Sequence, residues 1–144
     1  MKKYRFGLNS VMKLRKMEEE HARSFLLESQ SEVDRATAEL DARLAAIGTA
    51  RPHPGRSLGP EFADERDQLE RHAIAVTAAR SAEANALAVL RTARSEWEEA
   101  AQRVRALERL DERHRGVWLL EATRRAQAAT DEVAQTHRRR GLEP

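Results

Sequence analysis

Cysteine is absent from the 144 residues of this chain, which excludes a disulfide framework and thiolate metal sites. Aromatic residues are scarce at 4%, against 35% charged residues and a mean hydropathy of −0.74. A compact globule of this length needs more bulky apolar side chains, whereas richness in Ala, Glu, Arg and Leu with helical spacing points to long helices. Disorder is the competing reading of so polar a chain, and regular apolar spacing argues against it. Long hydrophobic runs are also missing, so no membrane span is expected. Lys2 and Lys3 open like a signal sequence, but Asn9, Ser10, Lys13, Arg15 and Lys16 interrupt any apolar core. A reducing, cytoplasmic setting is therefore the expectation.

The residues that carry catalysis are not grouped either. The five histidines, His21, His53, His72, His114 and His137, form no i,i+4 metal pair, and no Gly-rich phosphate loop occurs. Carboxylate runs such as Glu18 to Glu20 and Glu98 to Glu99 read as solvated helix faces. The chain is expected to be no enzyme, with no cofactor and no metal.

Proline and glycine are confined. Three of the four prolines and three of the six glycines lie in residues 48–60, GTARPHPGRSLGP. Residues 8–47 contain neither, and residues 61–140 contain only Gly116. Proline clashes with the preceding helical turn, and glycine costs about 1 kcal/mol against alanine in a helix interior. The segregation predicts one domain over residues 1–144: helix 1 at about 8–47, a turn at 48–60, and helix 2 at about 61–140. Gly48 suits a left-handed helix cap, and Pro60 suits a first helical position with Glu61, Asp64 and Glu65 at the positive end of the dipole. Arg138 to Arg140 favour the other end, and Gly141 and Pro144 stop the helix.

Both arms carry heptads. In the first, Ala22, Leu26, Ser29, Val33, Ala36, Leu40, Arg43 and Ile47 alternate by four and three. In the second, Leu69, Ala73, Val76, Arg80, Glu83, Leu87, Leu90, Arg94, Trp97, Ala101 and Val104 do the same. Small alanines would let the helices approach closely, and polar intruders such as Glu83 help fix register. The fold class is all-α: two long helices in an antiparallel coiled-coil hairpin, two separately bound helices being the alternative. Folding about residue 54 would put Trp97 among Leu8, Val11 and Leu14. The candidate hairpin core is then Leu8, Val11, Leu14, Leu26, Val33, Leu40, Leu69, Val76, Leu87, Leu90, Trp97 and Val104. Beyond about residue 101 helix 2 would have no mate. Some 40 residues would project on the order of 60 Å as a C-terminal helical overhang.

That overhang carries more than charge. Val117, Trp118, Leu119 and Leu120 are consecutive and ring the helix, which is costly in water. The ring suits a partner protein, a fold-back onto Tyr4 and Phe6, or self-association. Residues 1–20 balance to +3, residues 21–100 to −4 and residues 101–140 to +4, so both ends are basic. Basic ends admit nucleic-acid binding, but interleaved acids and scarce aromatics disfavour it, so no nucleic acid is expected.

Two segments resemble a known family. Tyr4, Arg5, Phe6, Leu8, Val11, Leu14 and Arg15, followed by Glu18, Glu19 and Ala22, resemble the opening of the FliJ family of flagellar export proteins. Leu107, Glu108, Leu110, Glu112 and Arg113, then Trp118, Glu121, Arg124, Gln127, Asp131, Glu132 and Ala134, resemble its C-terminal block. The resemblance implies a non-enzymatic coiled-coil stalk of the flagellar type III export apparatus. It implies an export ATPase hexamer, an export gate membrane protein and export chaperones as partners, and a cytoplasmic place at the inner membrane by the flagellar basal body. A related injectisome-type stalk shares the mechanism. The candidate partner-binding residues are Leu107, Leu110, Arg113, Val117, Trp118, Leu119, Glu121, Arg124, Gln127, Asp131 and Glu132.

Overall fold

The computed structural model describes residues 3–50 and 60–140. The candidate turn residues 51–59 and the helix stop at Gly141 and Pro144 lie outside the described residues. Two helices account for the described chain, α1 (Asn9–Thr49) and α2 (Pro60–Arg140), in an all-α antiparallel hairpin without strands among the described residues. α1 begins where Asn9 N–H donates to Phe6 O at 3.2 Å. It continues through Gly48, which takes no left-handed conformation, so the expected glycine cap does not form. Ala50 N–H and the Thr49 hydroxyl both donate to Ala46 O instead, satisfying an end carbonyl. α2 is unbroken through Gly116, where a Cβ would meet nothing. By length and composition alone α2 also contains a window of mean hydropathy 1.2, a test that a packed core helix passes as well. The alanine-rich stretch 73–90 holds Arg80 and Glu83 and packs Val76, Ala79 and Leu90 inward.

The hairpin divides into two units by contact: residues 18–100, and residues 1–17 with 101–144. In the 18–100 unit, α1 buries Ser29 and Val33 and half-buries Ala22, Leu26, Ala36, Leu40 and Ile47, the heptad read from the sequence. Arg43 of that heptad stays exposed and pairs with Glu39 at 2.7 Å. The α2 stripe is Leu69, His72, Val76, Ala79, Glu83, Ala86, Leu90, Ala93 and Trp97. Every second position therefore moves back by one. Ala73, Arg80, Leu87 and Arg94, expected in the seam, are exposed, and His72, Ala79, Ala86 and Ala93 replace them. The reason is electrostatic as well as steric: the shift takes two guanidinium groups out of a dry seam and puts alanines there.

Register is visible in the hydrogen bonds that cross the seam. Thr37 Oγ1–H donates to Glu83 Oε1 at 2.9 Å, and Trp97 Nε1–H donates to Glu19 Oε1 at 2.8 Å. Partner numbers thus sum to about 116–120, where folding about residue 54 requires 108. Trp97 consequently lies beside Glu19, not among Leu8, Val11 and Leu14 as expected. Ser29, buried in the seam, satisfies its hydroxyl on Phe25 O at 2.8 Å.

Candidate partner-binding surface

In the other unit, formed by residues 1–17 and 101–144, α1 turns Met12 inward and α2 buries Ala101. Leu8, Val11 and Leu14 face outward, the last 53% exposed, so none belongs to the core assigned to it from sequence. Continuing the α1 heptad backward from Ala22 by three and four gives Glu19, Arg15 and Met12, and this spacing is the signal that identifies Met12. Met17, passed over in the sequence, is 68% exposed on the same α1 segment.

The chain start lies on α2. The Tyr4 hydroxyl donates to Asp111 Oδ1 at 2.7 Å and also approaches Asp111 O at 3.2 Å. Its ring tilts against Trp118 at 5.9 Å between centroids, and the Arg115 guanidinium stands 5.5 Å from its centre. Phe6 meets His114 edge to face at 5.9 Å, a favourable quadrupole arrangement. Lys16 pairs with Glu108 at 3.4 Å, but both are about half exposed and the pair adds little. Residues 108–118 of α2 are therefore mated. The free helix expected from residue 101 begins only past Trp118, because the true register carries pairing that far. Of the fates open to the apolar ring, the fold-back is realised for Trp118 against Tyr4, while Phe6 meets His114 instead.

The rest of the ring is exposed among the described residues. Val117 is 56% exposed, Leu119 52% and Leu120 63%. Leu107 and Leu110 are half-buried, while Arg113, Glu121, Arg124, Gln127, Asp131 and Glu132 are exposed. Glu121 accepts from Arg125 one turn on at 3.0 Å. A shallow groove of about 460 Å³ beside the clasp is lined by Lys3, Tyr4, Arg5, His114, Val117, Trp118 and Glu121. Charge follows the units: residues 1–17 and 101–144 hold sixteen Lys/Arg against seven acids, a balance of +9, and residues 18–100 hold ten against seventeen, a balance of −7. Among the described residues no group of three His, Asp or Glu is placed to hold a metal. What the basic unit presents is a set of exposed apolar side chains in cationic surroundings.

Partial burial and the Asp111 carboxylate raise the Tyr4 phenol above its ordinary 10.0, with Arg115 opposing. The folded state holds this proton more tightly than the unfolded state. The clasp's contribution is therefore complete below about pH 10 and fades as pH rises through the raised value. Tyr4 is the only tyrosine, so ultraviolet titration reads it alone. We expect its titration to fall back toward 10.0 in Asp111→Asn; an unchanged curve would show that Asp111 does not hold the phenol.

The model of the family described as Flagellar FliJ protein matches residues 4–143. No curated protein and no solved structure matches the chain. With a hairpin of two long helices and a match over nearly its whole length, the chain belongs to the FliJ family of flagellar proteins.

Proposed function

We propose that this chain, by its family a non-enzymatic, flagellar export-related coiled-coil protein of the cytoplasm, acts as the stalk of the export ATPase. In this reading the unit of residues 1–17 and 101–144 enters the ATPase hexamer, and the protein connects that ring to the membrane export gate and to export chaperones. Its place is the cytoplasmic side of the inner membrane at the flagellar basal body, and its loss abolishes motility. The observation that carries the reading is the exposed ring of Val117, Leu119 and Leu120 on a unit with a balance of +9. Apolar side chains in water favour burial against a second surface, and cationic surroundings select an acidic one. A single shaft in a six-fold ring meets each subunit differently, and long Arg and Glu side chains on a stiff helix adapt to that. Nucleotide chemistry belongs to the ATPase.

Leu119→Ser with Leu120→Ser tests this without touching the clasp. We expect co-purification with the hexameric ATPase to fall at least about tenfold, the loss expected for two apolar anchors, while helical content stays near that of the parent. Undiminished co-purification would remove the C-terminal surface from the interface.

A further inference from the structure

Past Trp118, α2 keeps a heptad that is mostly exposed among the described residues. Leu119, Ala122, Ala126, Ala129, Val133 and Thr136 follow one another by three and four. All but Ala122 are exposed, and Ala122 is half-buried. Two charges flank this stripe at equivalent places one heptad apart, Arg125 and Glu132, both exposed. Their signs are opposite, and that asymmetry decides what fits.

We propose that this face pairs with the same face of a second copy, antiparallel. Aligning the stripe with its own reverse puts Leu119 level with Thr136, Ala122 with Val133 and Ala126 with Ala129, each layer occurring twice by symmetry. In that register Arg125 of each copy faces Glu132 of the other. A parallel, in-register pair would instead set Arg125 toward Thr130 and Glu132 toward His137, with no opposite charges meeting. Flanking charges choose coiled-coil orientation in this way, and a two-fold axis makes every such contact count twice. The alanine layers permit close approach of the backbones. The pair that Arg125 makes now, with Glu121 on its own helix, is solvent-exposed and is exchanged at little cost. A copy so paired covers Leu119 and withdraws it from other proteins.

Sedimentation velocity of the full chain is expected to show a mass that rises with concentration over about 10–500 µM, as suits a small interface. Arg125→Glu and Glu132→Arg should each weaken dimerisation about tenfold, since each replaces two attractions by two repulsions, and the double variant should regain the parent constant. Orientation is read by crosslinking, which the lack of native cysteine makes clean. Cysteines at position 126 of two antiparallel copies are offset by about 4.5 Å along the axis, those at position 119 by about 25 Å. Ala126→Cys should therefore join through a short bis-maleimide and Leu119→Cys should not. A chain that stays monomeric throughout, equal crosslinking at both positions, or a double charge variant as weak as the singles would each overturn the proposal.

Discussion

Ala93→Asp is expected to lower the melting temperature by about 10 °C or more. Ala93 is 0% exposed, the most enclosed side chain described. It sits in the seam of a unit whose buried apolar residues are otherwise Val33, Val76, Ala79, Leu90 and Ala100. A core so thin has no slack. An alanine there lets two helices touch nearly backbone to backbone, and a carboxyl group needs both room and a partner. Forcing extra atoms into a packed site costs about 1–3 kcal/mol, and a buried carboxyl without hydrogen bonds adds comparable cost. For a chain of this size each kcal/mol moves the midpoint by about 2–4 °C. Ala88→Asp is the control, because Ala88 lies on the exposed side of the same helix. It should cost only the small difference in helix propensity, about 0.7 kcal/mol. Equal losses from the two substitutions would show that the heptad is not where the structure puts it.

Trp97→Ala should be nearly as damaging, at about 3 kcal/mol, and the loss divides into two parts that can be separated. Trp97→Phe keeps an aromatic body and removes the Nε1–H donor to Glu19, which lies 2.8 Å away. That bond is partly buried and its acceptor is charged, so it contributes about 1–2 kcal/mol. Glu19→Ala should cost a similar amount, and combining it with Trp97→Phe should add little further. A coupling of about 1 kcal/mol in this double-mutant cycle, measured by urea unfolding, reports the pair directly. Zero coupling would mean that the helices meet in another register.

How far the sequence determines this molecule is clear from those two residues. The hairpin was legible because its causes are local: proline and glycine break helices wherever they fall, and apolar spacing survives without knowledge of the partner. The first-arm heptad was equally plain. The second arm was ambiguous, because alanines stand beside nearly every candidate position. Ala79 next to Arg80 and Ala93 next to Arg94 allow two phases, and only packing against α1 chooses. Register was not legible at all. It depends on how much chain separates the two helices, and a symmetric fold about residue 54 displaces the Thr37–Glu83 and Glu19–Trp97 pairs by 12 and 8 positions in summed number. The same offset in register puts Trp118 on a free overhang, although a fold-back onto Tyr4 and Phe6 is one of the fates its apolar ring allows. Leu8, Val11 and Leu14 are apolar yet exposed, and only the α1 heptad carried back to Met12 tells the buried position from its apolar neighbours.

The cross-seam contacts also dictate an order of assembly. Thr37 and Glu83 are 46 residues apart, Glu19 and Trp97 78, and Tyr4 and Asp111 107. Closing the widest of these from an unfolded chain spends the most entropy for a single contact. Once a nearer pair has formed, the next requires ordering only the short stretches between them. Growth outward from the nearer contacts is thus the cheaper route, and φ-values are expected to be high near Thr37 and low at the Tyr4 clasp. Substitutions at the clasp would then leave the folding rate almost unchanged and speed unfolding alone. The Tyr4 contact with Trp118 is accordingly expected to open before the 18–100 unit unfolds, which earlier hydrogen exchange around Asp111 and Trp118 than around Thr37 would report.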